Sequence, residues 1–225
     1  MVIKIKLLIL LLFISAFSFA QREKKTSYRK QCKIDSERQI NELRNGVLLV
    51  RLKTKKKTIS AMRKAKRYKL ADKTEQELKK RNQFIITGFK SNFNFCPVYF
   101  FYSHDSKYVR NNNLDSISFL NDSLIIDNSI TVNNSNIYVA EFGSVYPDTM
   151  VYSQSEYFEY GKKQTTNYGG SALTITALII KSNQFTQLKD PFPYFVREFK
   201  GLLIQRSIKK AIYKMNAKLV KFVNE

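Results

Sequence analysis

Two compact apolar runs enclosing a long proline-free stretch constrain this chain more than any other feature. GVLLVRLK, from Gly46 to Lys53, has the length and composition of a buried strand. Thr58 to Lys90 contains no proline, one glycine (Gly88) and mostly good helix formers. CPVYFFYS then supplies the second apolar run, from Cys96 to Ser103. Strand, helix and strand in that order require a crossover, so Gly46–Lys53 and Pro97–Tyr102 are expected as parallel neighbours in one sheet.

The helical stretch is uneven. Ile59, Met62 and Ala65 form an apolar stripe in its first part, and Leu78, Ile85 and Phe89 in its last. Asp72 to Glu77 contains no apolar residue. Glu75 with Lys79 and Glu77 with Arg81 have the favourable spacing for helical ion pairs. An unbroken 33-residue helix would be about 50 Å long. A domain of this size is only about 43 Å across. The helix should therefore break near Asp72–Glu77 or project from the body.

Beyond the crossover, ISFLNDSLIID reads as two short strands about a tight turn at Asn121-Asp122, and NIYVAEF as another strand. Pro147 to Gly170 is too long for a plain loop and suggests a loose hairpin. ALTITALIIK is nearly continuous in apolar and β-branched residues, as a central strand would be. DPFPYFVREFKG has two prolines and cannot be central. The C-terminus is amphipathic: Ile208, Ala211, Ile212, Met215, Leu219 and Phe222 fall on one helical face, opposite Arg206, Lys210, Lys214, Lys218 and Lys221. A core-packed helix with a basic outer face fits better than an interfacial membrane helix, whose apolar side would want more aromatics than Phe222.

These elements predict an α/β fold, with α+β as the alternative. The expected form is one mixed-sheet domain over residues 46–225 with a long N-terminal crossover helix and a C-terminal amphipathic helix. A polar lead-in, 21–45, precedes it and carries a short helix near Asp35–Leu43. Residues 1–20 have the form of a signal peptide: Lys4 and Lys6, an apolar run from Leu7 to Ile14, then Ser18-Phe19-Ala20 before Gln21. Leu7 to Ala20 is 14 residues, short of the ~20 that span a bilayer. Cleavage after Ala20, export to the periplasm or medium, and no membrane span in the mature chain are expected.

The net charge is +21, and it is unevenly placed. Residues 22–90 carry 23 basic and 7 acidic side chains, residues 91–195 carry 6 and 9, and residues 196–225 carry 8 and 2. Basic segments attract phosphates. Export makes nucleic acid an unexpected partner and turns attention to anionic envelope components or another envelope protein. The anion-binding candidates are Lys64, Arg67, Lys69 and Lys73 in the long helix and Lys210, Lys214, Lys218 and Lys221 in the last one. The same composition is what an AT-rich genome produces, so a purely compositional reading competes with this one.

Cys32 and Cys96 are the only cysteines, and in an exported chain they could pair. There is no CxxC, no P-loop, no GxGxxG and no G-x-S-x-G. Cys96 precedes a strand, whereas a redox cysteine is stabilised at a helix N-terminus. A single histidine rules out a multi-histidine metal site, and no cofactor is expected. His104 follows a strand end, where α/β folds place ligand sites. Ser103, His104 and Asp105 are thus the weak catalytic candidates of an envelope hydrolase, although sequence neighbours cannot all face one another. An exposed turn in which Asp105 or Ser106 caps a short helix is the simpler reading. Glu156 and Glu159 could form a carboxylate pair only through tertiary placement. The favoured expectation is a binding or structural module rather than an enzyme.

Overall fold

The crossover is present. β1 (Val47–Leu52) and β2 (Val98–Tyr102) run parallel, in register from Leu48 opposite Val98 to Leu52 opposite Tyr102. The computed structural model describes residues 28–145, 154–159, 162–167, 175–200 and 205–224, and the expected signal peptide lies outside them. β4 (Ile137–Ser144) pairs parallel with the other side of β1, and β7 (Thr176–Ser182) is antiparallel to β4. With β3 (Phe119–Leu120) and β8 (Phe195–Arg197) at the edges, the six-stranded order is β3-β2-β1-β4-β7-β8. The proline-flanked segment is thus an edge strand, and the ALTITALIIK strand has a neighbour on each side. The expected loose hairpin is formed by β5 (Gln154–Glu159) and β6 (Lys162–Asn167). A short pair, β9 (Phe199–Lys200) and β10 (Gln205–Arg206), follows β8. At Asn121-Asp122 the second arm contributes a single bridge, Leu120 to Ile126, rather than a strand.

Alternation along β1 separates two cores. Leu48, Val50 and Leu52 face a cluster that includes Phe89, Phe100, Tyr138, Leu178, Ile212 and Leu219. Val47 and Leu49 face a smaller one with Phe101, Val109, Phe119, Val132 and Val139. The larger cluster is covered by helices. The first, α1, spans residues 28–44 and is longer than the expected Asp35–Leu43. Cys32, Ser36, Ile40 and Leu43 form its buried stripe. Ser36 Oγ accepts from the Phe192 amide at 3.1 Å, and Tyr138 donates to Glu42 at 2.7 Å.

The long helix breaks, but not where its apolar gap suggested. α2 (Lys56–Lys64) ends and α3 (Tyr68–Asn92) begins across Ala65–Arg67. Lys66 takes φ 58°, its amide bonds Arg63 O at 3.0 Å, and the Arg67 amide bonds Met62 O at 2.9 Å. That is a Schellman ending with lysine in the position glycine usually fills. The 25 residues of α3 are about 37 Å long, which fits the body. The polar stretch after Lys66 is where α2 folds back: Arg63 reaches Asp72 at 3.2 Å and Glu75 at 2.8 Å. The pairs expected along α3 are replaced. Arg81 makes a two-pronged contact with the buried Glu198 at 3.0 and 2.7 Å, a stronger geometry than an exposed pair one turn away.

α5 (Ile208–Asn224) starts at Ser207, whose Oγ accepts from the Lys210 amide at 3.2 Å. Ala211, Ile212, Met215 and Leu219 are fully buried, so its apolar face belongs to the core. α5 packs against α3 at Gly88, where a Cβ would lie 2.7 Å from Ile212 Cδ1. Glycine there permits the close approach. Among the described residues, no helix is long and apolar enough to cross a membrane.

Candidate functional site

The C-terminal ends of β1 and β2 open into a cavity of about 950 Å³. This is near the top of the ~300–1,000 Å³ range of small-molecule sites. Two helices wall it with regularly spaced faces. α2 offers Lys56, Ile59, Ser60, Arg63 and Lys64, and α3 offers Glu75, Leu78, Lys79 and Asn82. Both sets follow the i, i+3, i+4, i+7 spacing of one helical face. Residues 123–126 close a third side, tied down by Tyr102, which donates to Leu124 O at 3.3 Å. Burial raises the Tyr102 phenol above its ordinary pKa, which keeps it protonated as that donor.

The lining is apolar with a cationic rim. Ile59, Leu78, Leu124, Ile125 and Ile126 supply the apolar part, and Ile125 and Ile126 are 62% and 52% exposed. Among the described residues Glu75 is the only carboxylate in the lining, and Arg63 already holds it. Lys56, Lys64 and Lys79 have no ion-pair or hydrogen-bond partner among the described residues. Such a surface suits a negative head attached to an apolar body.

His104 reaches this cavity but is not assembled for catalysis. Its ring stacks on Tyr102 at 5.7 Å, and its Nε2 lies 3.7 Å from Asp105 Oδ1. Ser103 Oγ lies 3.3 Å from Thr54 Oγ1, and Ser106 Oγ donates to Ser103 O at 2.7 Å. Neither hydroxyl is hydrogen-bonded to His104. Asp105 is buried at the start of α4 (Ser106–Arg110), yet it does not cap the helix, because its Oδ2 accepts from the Ser118 amide at 3.3 Å. The carboxylates of Glu156 and Glu159 lie outside the described side chains. Among the described residues no cluster suits a metal ion.

The eight anion-binding candidates do not converge. Lys64 lines the cavity, Arg67 immediately precedes α3 without a side-chain cap bond, and Lys69 and Lys73 lie exposed on its first turns. Lys210, Lys214, Lys218 and Lys221 are on α5. The second half of α5 sits beside Asn94, whose amide bonds Asn216 Oδ1 at 3.0 Å. The first half of α5 packs at Gly88, and from Lys73 to Gly88 is about 22 Å along the helix, well beyond the ~8 Å over which exposed charges act in physiological salt. Lys218 leans on Phe195, its Nζ 5.8 Å from the ring. The two basic segments are therefore separate surfaces. Lys56, Lys79 and Asn82 were not among the sequence candidates, and the repeated helical spacing is the signal that could have found them.

Cys32 and Cys96 are both buried and both free, not bridged. Cys96 belongs to the large core cluster beside Leu48, whereas Cys32 is on α1 one turn before Ser36, which is bonded to Phe192. Burial pushes the Cys96 thiol up to about 12, so it is an inert core group.

A second group of charges lies on the opposite face of the sheet. Glu141 on β4 accepts from Arg51 on β1 at 2.5 Å and from Lys181 on β7 at 2.7 Å. Arg51 also donates to Ser106 Oγ at 2.8 Å. Burial works to raise the Glu141 carboxyl, but the hydrogen bond and charge of Lys181, then those of Arg51, hold it below the usual range. Both carboxylate oxygens of Glu141 are thus engaged.

The fold and these sites define a mixed-sheet α/β protein with a basic, partly apolar cavity at its parallel strand ends. Compared with known proteins, the chain matches no family model, no curated protein and no solved structure.

Proposed function

We propose that this chain is an exported envelope protein that binds an anionic amphiphile, an acyl chain carrying phosphate or carboxylate, in the cavity between α2 and α3. The observation that carries the reading is the combination of an apolar floor with three lysines lacking any partner among the described residues. Concave apolar surface favours the chain by the hydrophobic effect, and the lysines select the sign of the head. The signal-like N-terminus supports delivery to the compartment where such molecules occur. A hydrolase with a serine nucleophile would need that hydroxyl on His104, and the hydroxyls of Ser103 and Ser106 are bonded elsewhere.

Calorimetric titration with dodecyl phosphate, below its aggregation concentration, tests the proposal. One site per chain is expected, weakened by salt. Replacing Lys56, Lys64 and Lys79 together by Gln should cost roughly 100-fold in affinity, at about 1 kcal/mol for each cation facing an anionic group. The melting temperature should barely change, because all three are exposed. Binding that ignores these substitutions, or no binding at low salt, would refute the reading.

A further inference from the structure

Resting on that reading, we propose that the cavity selects a head that carries a hydrogen-bond donor beside its negative charge, with Asn82 Oδ1 as the acceptor that reads it. Asn82 lines the cavity yet is only 4% exposed. Its Nδ2 donates to Lys53 O at 3.0 Å, which fixes the orientation of the amide. Oδ1 is left with no donor among the described residues. A buried oxygen in that state is an incomplete hydrogen-bonding site, and a ligand can complete it.

The anionic half of the head has its own receiver next to Asn82. α2 begins after Lys55 at φ 47°, with no side-chain cap and no acidic residue in its first turn. Its first intrahelical bond runs from the Ile59 amide to Lys55 O at 3.0 Å, so the amides of Lys56, Lys57 and Thr58 have no intrahelical acceptor. A helix start of this kind attracts anionic oxygens, and Lys56 stands at it. Lys53, the partner of Asn82, lies three residues before Lys56. The neutral acceptor and the cationic helix start therefore share one end of the cavity. The apolar part at Ile59 and Leu124–Ile126 is left for the chain. A monoacyl phosphate with a hydroxyl or amide N–H adjacent to the phosphate meets all three demands.

The test compares two ligands on the unmodified protein at about pH 8, where a phosphate monoester with a second pKa near 6 is a dianion and donates nothing. One is lauroyl glycerol phosphate with its free secondary hydroxyl, and the other is the same molecule methylated on that hydroxyl. The hydroxyl form should bind roughly tenfold more tightly, the worth of one well-made hydrogen bond. In Asn82→Leu the two should bind alike, with melting measured alongside because the change also removes the bond to Lys53. Should that variant fail to fold, the ligand pair on the native protein decides. Equal binding of both ligands to native protein would overturn the role of Asn82 and leave the amphiphile site standing. Failure of both, and of dodecyl phosphate, would overturn the site itself.

Discussion

Glu141 sits between two cations, Arg51 and Lys181, and all three are largely withdrawn from water. Lys56, Lys64 and Lys79 stand around an apolar cavity without an ion-pair partner among the described residues, and the carboxylate of Glu75 in its lining is held by Arg63. The same residue types thus serve opposite purposes. The first group joins strands β1, β4 and β7, and its single carboxylate bonds both cations inside the fold. The second leaves its charge uncompensated beside a concave surface. Net charge alone could not separate them; pairing does.

Glu141→Ala attacks the first group and should have the largest effect. It removes the carboxylate that two buried or half-buried cations share, which costs about 3–5 kcal/mol in comparable pairs. Denaturant unfolding measures it. Replacing Glu141 by Leu with Arg51 and Lys181 both changed to Met should recover most of that loss, since apolar isosteres of a buried ion cluster are often neutral or better. A Glu141→Ala protein as stable as the parent would remove the distinction between the two groups.

A smaller effect should follow from pH. The folded Glu141 carboxyl is held below its ordinary range by Lys181 and Arg51, against burial. Its contribution is therefore complete above the unfolded carboxylate value, ~4.3, and is lost as pH falls through the lower folded value. Melting temperature should decline through this acid window in the parent and decline less steeply in Glu141→Gln. Identical acid profiles would show that Lys181 and Arg51 do not hold the carboxylate.

Much of the fold was legible because its signals are local. GVLLVRLK and CPVYFFYS are apolar enough to be strands in any context, and α5 announces its buried face through Ala211, Ile212, Met215 and Leu219. The break between α2 and α3 was not legible, because Lys66 adopts a left-handed conformation without glycine or proline to mark it. α1 was underestimated because its buried stripe includes Cys32 and Ser36, which read as polar sequence. The Glu141 group joins residues 90 and 40 positions apart in the chain, a relation that only strand order creates. Of the cavity, the strand-end position of His104 and the charge of Lys64 were readable. The convergence of two helical faces on residues 123–126 was not, because it depends on α2 folding back through Arg63.

The most direct measurement is a map of backbone amide shifts in the NMR spectrum as dodecyl phosphate is added. The amphiphile account predicts perturbations centred on Lys56, Ile59, Leu78, Lys79, Asn82 and Ile125, saturating at one ligand per chain, with α5 silent. Shifts centred instead on Lys210, Lys214, Lys218 and Lys221, or spread over every exposed cation without saturation, would contradict it.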